Sequence, residues 1–120
     1  MTGRTLLSVL AFGALAACQS AGQMDQNPPT WISLYQASWE PMANCIVARS
    51  QRPLLTVTPT FSSGRASVVV KNAAGGVMGT FDIRQVNARD TEVAYRSIYG
   101  GPNSGAGGDA RYIADRCARP

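Results

Sequence analysis

The side chains best suited to chemistry in this chain are three cysteines, Cys18, Cys45 and Cys117, and two carboxylates, Asp82 and Glu92. Thiols can pair, take a lipid, act as nucleophiles or hold a soft metal, and two carboxylates can divide acid and base work. The chain contains no histidine, which removes the commonest general base and every Ser-His or Cys-His arrangement. With no third soft ligand near Cys45 or Cys117, a zinc site is not expected. Met24, Met42 and Met78 are too scattered for a copper site. Asp82 and Glu92 lie on consecutive strand-like segments, with Arg84 and Arg96 as neighbours. That pattern reads as a cross-strand charge-pairing face more simply than as a catalytic pair. A protein without catalysis or cofactor is therefore expected.

The glycine-rich stretch at 100–108 precedes a helical pattern, and helix N-termini after glycines can hold phosphate through backbone amides. Here no Gly-Lys-Ser/Thr ending follows, and Asp109 puts a negative charge where the phosphate would sit. Neither the Walker nor the dinucleotide pattern is met. The stretch is expected to be a flexible loop, with a role as a contact surface left open.

The first residues have a different logic. Arg4, an apolar run from Leu6 to Leu15 and the small residues Ala16 and Ala17 are the parts of a secretory signal peptide. The run is nearer ten residues than the ~20 a membrane-spanning helix requires. Leu15-Ala16-Ala17-Cys18 resembles the lipobox of bacterial lipoproteins. That resemblance covers residues 1–18 and implies cleavage before Cys18, a diacylglyceryl group on its thiol and acylation of the freed amine, with palmitate the expected chain. Two anchoring signals give stable attachment where one gives only marginal binding. Gln19, in the position where Asp commonly marks inner-membrane retention, implies by the same resemblance an outer-membrane protein facing the periplasm. With Cys18 taken by lipid in an oxidising compartment, Cys45 and Cys117 are expected to form a disulfide.

Loss of residues 1–17 from the 120 leaves 103, enough for one domain with one modest core. It also removes Arg4 from eleven basic residues, leaving ten against seven acidic ones. A single lysine, Lys71, and well-separated arginines do not make the clustered basic surface of a nucleic-acid binder, so no such partner is expected. Attraction to an anionic wall polymer is compatible with this charge, but a solvated basic face is the simpler reading.

Residues 18–29 are polar and end in two prolines, as a lipidated tether would, and residues 30–120 make up the domain. Trp31, Tyr35, Trp39, Met42 and Ile46 recur at spacings of three and four, which predicts helix over 31–51 capped by Thr30, with Pro41 either kinking it or starting a second helix after a break near Trp39-Glu40. Alternating residues predict strands over 54–61, 65–72, 77–86 and 92–99, joined by short polar turns. Pro59 favours an edge position for the first of them. Asp109 is expected to cap a last helix over 110–118, with Arg111 and Asp115 paired on its surface.

The expected fold is α+β: an N-terminal helix, a four-stranded antiparallel meander and a short C-terminal helix, with a small β-barrel or sandwich as the alternative. The expected role is a membrane-anchored envelope interaction module using its polar sheet face or its glycine loop, in contact with an envelope protein or wall polymer. A small envelope inhibitor of lysozyme or protease is the second reading. A glycan enzyme built on Asp82 and Glu92 is the third.

Overall fold

The computed structural model describes residues 27–98 and 105–119. Among them, seven elements follow in the order β1 (Trp31–Tyr35), α1 (Trp39–Arg49), β2 (Thr56–Ser62), β3 (Arg65–Lys71), β4 (Val77–Gln85), β5 (Thr91–Ser97) and α2 (Gly105–Cys117). The strands form one antiparallel sheet in the order β1-β5-β4-β3-β2. The α+β class and the meander of β2 to β5 agree with the sequence reading. The element order does not: it is β-α-β-β-β-β-α, with a fifth strand at the front. Among the described residues the sheet is open, with β1 and β2 at its two edges, and forms neither a closed barrel nor a two-sheet sandwich.

The correction at residues 31–35 has a plain cause. Trp31 and Tyr35 share a face at a spacing of four in a helix and in a strand alike. Both are buried here, while Ile32 and Leu34 between them are exposed, which is the alternation of a strand. Thr30 is accordingly no helix cap: its amide donates to Tyr95 O, and its Oγ1 accepts the Ser97 amide at 3.1 Å. The helix begins at Trp39 after Ser38, which makes no side-chain capping bond. Gln85 supplies that function from β4, its Oε1 accepting the Trp39 amide at 3.0 Å. Pro41 stands in the first turn, where amides have no partner inside the helix, so it is accommodated without a kink.

Both helices cover the same side of the sheet. Met42, Ala43 and Ile46 from α1 and Ala110 and Ala114 from α2 join Val68, Phe81, Ile83, Val93 and Tyr95 from the strands in one core. Near one end of this core the backbone and an aromatic ring come close together. A methyl group on Gly79 would lie within 2.7 Å of Tyr95 Cζ, so only hydrogen fits there.

The last helix starts earlier than expected, at Gly105, and Asp109 is an exposed residue within it rather than its cap. Glycine disfavours helix on its own, so packing against the sheet holds these turns. Residues 99–104, most of the expected loop's first half, lie outside the described residues. Arg111 and Asp115 do not pair in the structure. Instead the Tyr35 hydroxyl donates to Asp115 Oδ1 at 2.7 Å, and the Arg111 guanidinium lies 5.5 Å from the Trp31 ring centre. Both side chains are drawn to β1, an element that was not expected to be there.

Burial first, and then the hydrogen bond to Asp115 and that carboxylate's charge, push the Tyr35 phenol from its ordinary 10.0 up to about 12. Burial likewise raises Tyr95, with the charge of Asp109 adding to it and a bond to Ser97 opposing it. A raised folded-state value means that these tyrosines contribute stability in full below about pH 10 and lose it as pH climbs through the folded value. Unfolding free energy measured by denaturant titration is therefore expected to fall between about pH 10 and pH 12. Tyr35→Phe should flatten that decline in part, at a cost of about 1–2 kcal/mol at pH 7 from the lost bond to a carboxylate. An unchanged alkaline slope in Tyr35→Phe would contradict the assignment.

Candidate functional site: the outer face of the sheet

The helices leave the opposite face of the sheet without a covering element among the described residues. Register sets its rows. Leu34, Glu92, Arg84, Arg65 and Ser62 lie side by side across the five strands, and Ile32, Ala94, Asp82, Ser67 and Thr60 form the next row. Thr56 and Thr58 continue the polar margin along β2.

Four charged groups on this face are engaged in two pairs. Arg84 Nε donates to Glu92 Oε1 at 3.0 Å across directly opposed positions of β4 and β5. Arg65 Nε and Nη2 grip the two oxygens of Asp82 at 3.0 and 2.8 Å, a two-pronged contact with more geometric definition than a point-charge pair. Arg96 Nε donates to Asn27 O at 3.0 Å. The pairs are partly open to solvent, so each contributes well under ~1 kcal/mol to stability.

The expected charge-pairing face is present: Arg84 takes Glu92 and Asp82 is bound by Arg65 of β3, while Arg96 is on a backbone carbonyl. Asp82 and Glu92 occupy diagonal positions, each held by an arginine.

At the β1 edge the character changes. Ile32 is 54% exposed and Leu34 60% exposed, on a strand with neither charge nor proline. Opposite Ile32 stands the short Ala94, and opposite Leu34 the aliphatic stem of Glu92. Sequence reading missed them because it placed β1 in a helix. The signal available was Trp-Ile-Ser-Leu-Tyr itself, a run of β-formers with two apolar residues left over on the second face. The far edge differs, since β2 carries Pro59 opposite Val68.

A second convex feature lies at the turn before β2. Leu55 N donates to Arg52 O at 3.2 Å, closing a turn with Pro53 at its second position and Leu54 at its third. Leu54 has φ 69° and is 80% exposed. That backbone region favours glycine, so a branched apolar residue there is strained as well as solvated.

The other expected sites fall as follows. Cys45 and Cys117 are bonded, with sulfurs 2.09 Å and Cα atoms 5.6 Å apart, joining α1 to α2. Cys18 lies outside the described residues, as does Met24. Met42 is in the core and Met78 is half-buried on β4. Among the described residues, no group of three or more His, Cys, Asp or Glu side chains could hold a metal ion, and no helix is long and apolar enough to cross a membrane. Comparison with protein-family models, with curated proteins and with solved structures finds no match to this chain.

Proposed function

We propose that this chain is a lipid-anchored envelope protein whose domain is a non-catalytic interaction module, engaging an envelope protein through the outer sheet face along β1. The supporting observation is the pair Ile32 and Leu34, exposed side by side on an unprotected edge strand next to a row of ion pairs. An edge strand offers unpaired backbone groups to an added strand, and apolar side chains beside it supply burial. The lipobox resemblance at Leu15-Ala16-Ala17-Cys18 supports the anchor. Trp31 follows Cys18 by thirteen residues, so the β1 edge lies at most ~45 Å of extended chain from the lipid.

Capture from solubilised envelope tests this reading, with the wild-type chain and the Ile32→Asp/Leu34→Asp variant compared side by side. The variant is expected to lose at least tenfold in recovery of its envelope partner while keeping its circular dichroism spectrum. An unchanged partner profile would remove the β1 edge from the account.

The inhibitor reading has its own support in Leu54, a strained and protruding apolar residue of the shape that fills an enzyme's pocket. It requires stoichiometric inhibition of an added lysozyme or protease, lost in Leu54→Gly. A glycan hydrolase would require activity abolished by Asp82→Asn or Glu92→Gln with the fold retained.

A further inference from the structure

Backbone alternation fixes which groups the β1 edge presents. Val86 N donates to Asp90 O at 3.0 Å, continuing the β4–β5 ladder, and Ser97 N points the other way, to Thr30 Oγ1 at 3.1 Å. Successive residues of an antiparallel strand alternate in direction, so even-numbered residues of β5 bond β4 and odd-numbered ones bond β1. Trp31, Ser33 and Tyr35 stand opposite Tyr95, Val93 and Thr91 and are the residues joined to β5. The amides and carbonyls of Ile32 and Leu34 are left directed at the open edge, on the same two residues whose side chains are exposed on the outer face. On the helix side, α2 runs along this edge: Arg111 lies over the Trp31 ring, and Asp115 accepts the Tyr35 hydroxyl.

We propose that the envelope protein received at this edge is a second copy of the chain, with β1 pairing antiparallel to β1 about a two-fold axis at Ser33; the assignment rests on the reading of β1 as the contact surface. In that register Ile32 lies opposite Leu34 of the second copy, and each such pair exchanges two backbone hydrogen bonds. Four apolar side chains meet on the outer face, Ile against Leu each time, and β1 carries no charge to oppose its like. Ser33 is small and occupies the axis, where opposed side chains come closest. On the helix side Trp31 lies opposite Tyr35 of the second copy, which carries Arg111 toward Asp115 of the second copy, and symmetry repeats the contact. Within one chain these two side chains bind β1 rather than each other; across the axis their charges are complementary. Five strand residues a side is far short of the about 20–30 of a standard interface, so free chains pair weakly. Anchoring both copies in one lipid surface raises their local concentration, and the two Trp31 residues begin only about 14 Å apart, within reach of both tethers.

Mild oxidation of Ser33→Cys, in cells that produce the full chain, tests the axis. Most of this variant is expected as a disulfide-linked dimer, whereas Thr58→Cys, exposed on β2, should stay monomeric. Adding Arg111→Glu or Asp115→Lys to Ser33→Cys should each lower the dimer yield about tenfold by setting like charges against each other. Producing the two charge variants together should restore it, a recovery that a mere loss of fold would not allow. Ser33→Cys linking no better than Thr58→Cys would overturn the pairing, and so would a yield that the mixture fails to restore. The capture experiment separates this outcome from failure of the contact surface itself. If Ser33→Cys stays monomeric while Ile32→Asp/Leu34→Asp loses a captured protein of another sequence, only the occupant is wrong; if neither variant shows an effect, the edge is wrong as well.

Discussion

Replacing Cys45 and Cys117 together by alanine is expected to cost the domain about 4 kcal/mol, the chain-entropy value for a closed loop of this length. The two residues are 72 apart in sequence, so the bond restricts most of the domain's chain in the unfolded state. A domain of this size has roughly 5–15 kcal/mol in total, which leaves the variant near the edge of stability. The bond also fastens α2, whose glycine-rich first turns have little helix preference of their own, to α1. Guanidinium titration of wild type, reduced wild type and the double variant is the measurement. The midpoint should fall, and the slope should rise, because an unfolded chain without the cross-link is less compact and exposes more surface. A midpoint that does not move on reduction would mean that α2 is held by packing alone.

Trp31→Ala is the second large effect, expected at about 3–5 kcal/mol. Trp31 is 6% exposed and stacks on Tyr95 with ring centres 5.7 Å apart. Its Nε1 donates to Gly107 O at 3.0 Å, and Arg111 lies over its ring. Truncation therefore leaves a cavity and removes the contacts by which β1 secures the start of α2. Trp31→Phe keeps most of the ring but not the donor, and should cost nearer ~1 kcal/mol from the lost hydrogen bond, if the smaller ring packs well. Thermal melts of the three proteins, with near-ultraviolet circular dichroism to follow the aromatic packing, separate the two contributions. If Trp31→Ala lay within ~0.5 kcal/mol of wild type, as surface substitutions do, the residue's place in the core would be in error.

The strands β2 to β5 were legible because alternation is strict where one face is buried and the other solvated. Val68 and Val70 against Ser67 and Lys71, or Phe81 and Ile83 against Asp82 and Arg84, admit no helical reading. Residues 31–35 were not legible, since a spacing of four fits both periods and aromatic residues at each end hid the exposed pair between them. The start of α2 was hidden for the opposite reason. Gly105, Gly107 and Gly108 disfavour helix, and the burial of Ala110 and Ala114 against the sheet that holds this turn comes from residues far away in sequence. Local pairing rules joined Arg111 to Asp115, but Tyr35, eighty residues from Asp115, supplied a buried donor with a better-defined geometry. The Cys45–Cys117 bond was legible once the lipobox resemblance set Cys18 aside and implied an oxidising compartment. At the candidate site, the outward placement of Asp82, Arg84, Glu92 and Arg96 could be read, whereas Arg65 as the holder of Asp82 depended on sheet register.

The two margins of the sheet are unequal, and that inequality limits assembly. Pro59 puts a ring where β2 would otherwise present an amide to a newcomer, whereas β1 has no such guard. A strand that adds laterally can do so on one side only, and two domains that met in this way would turn their blocked margins outward. Any ribbon built from the described strands stops at the first addition, so a sticky edge yields a pair without fibres growing from it.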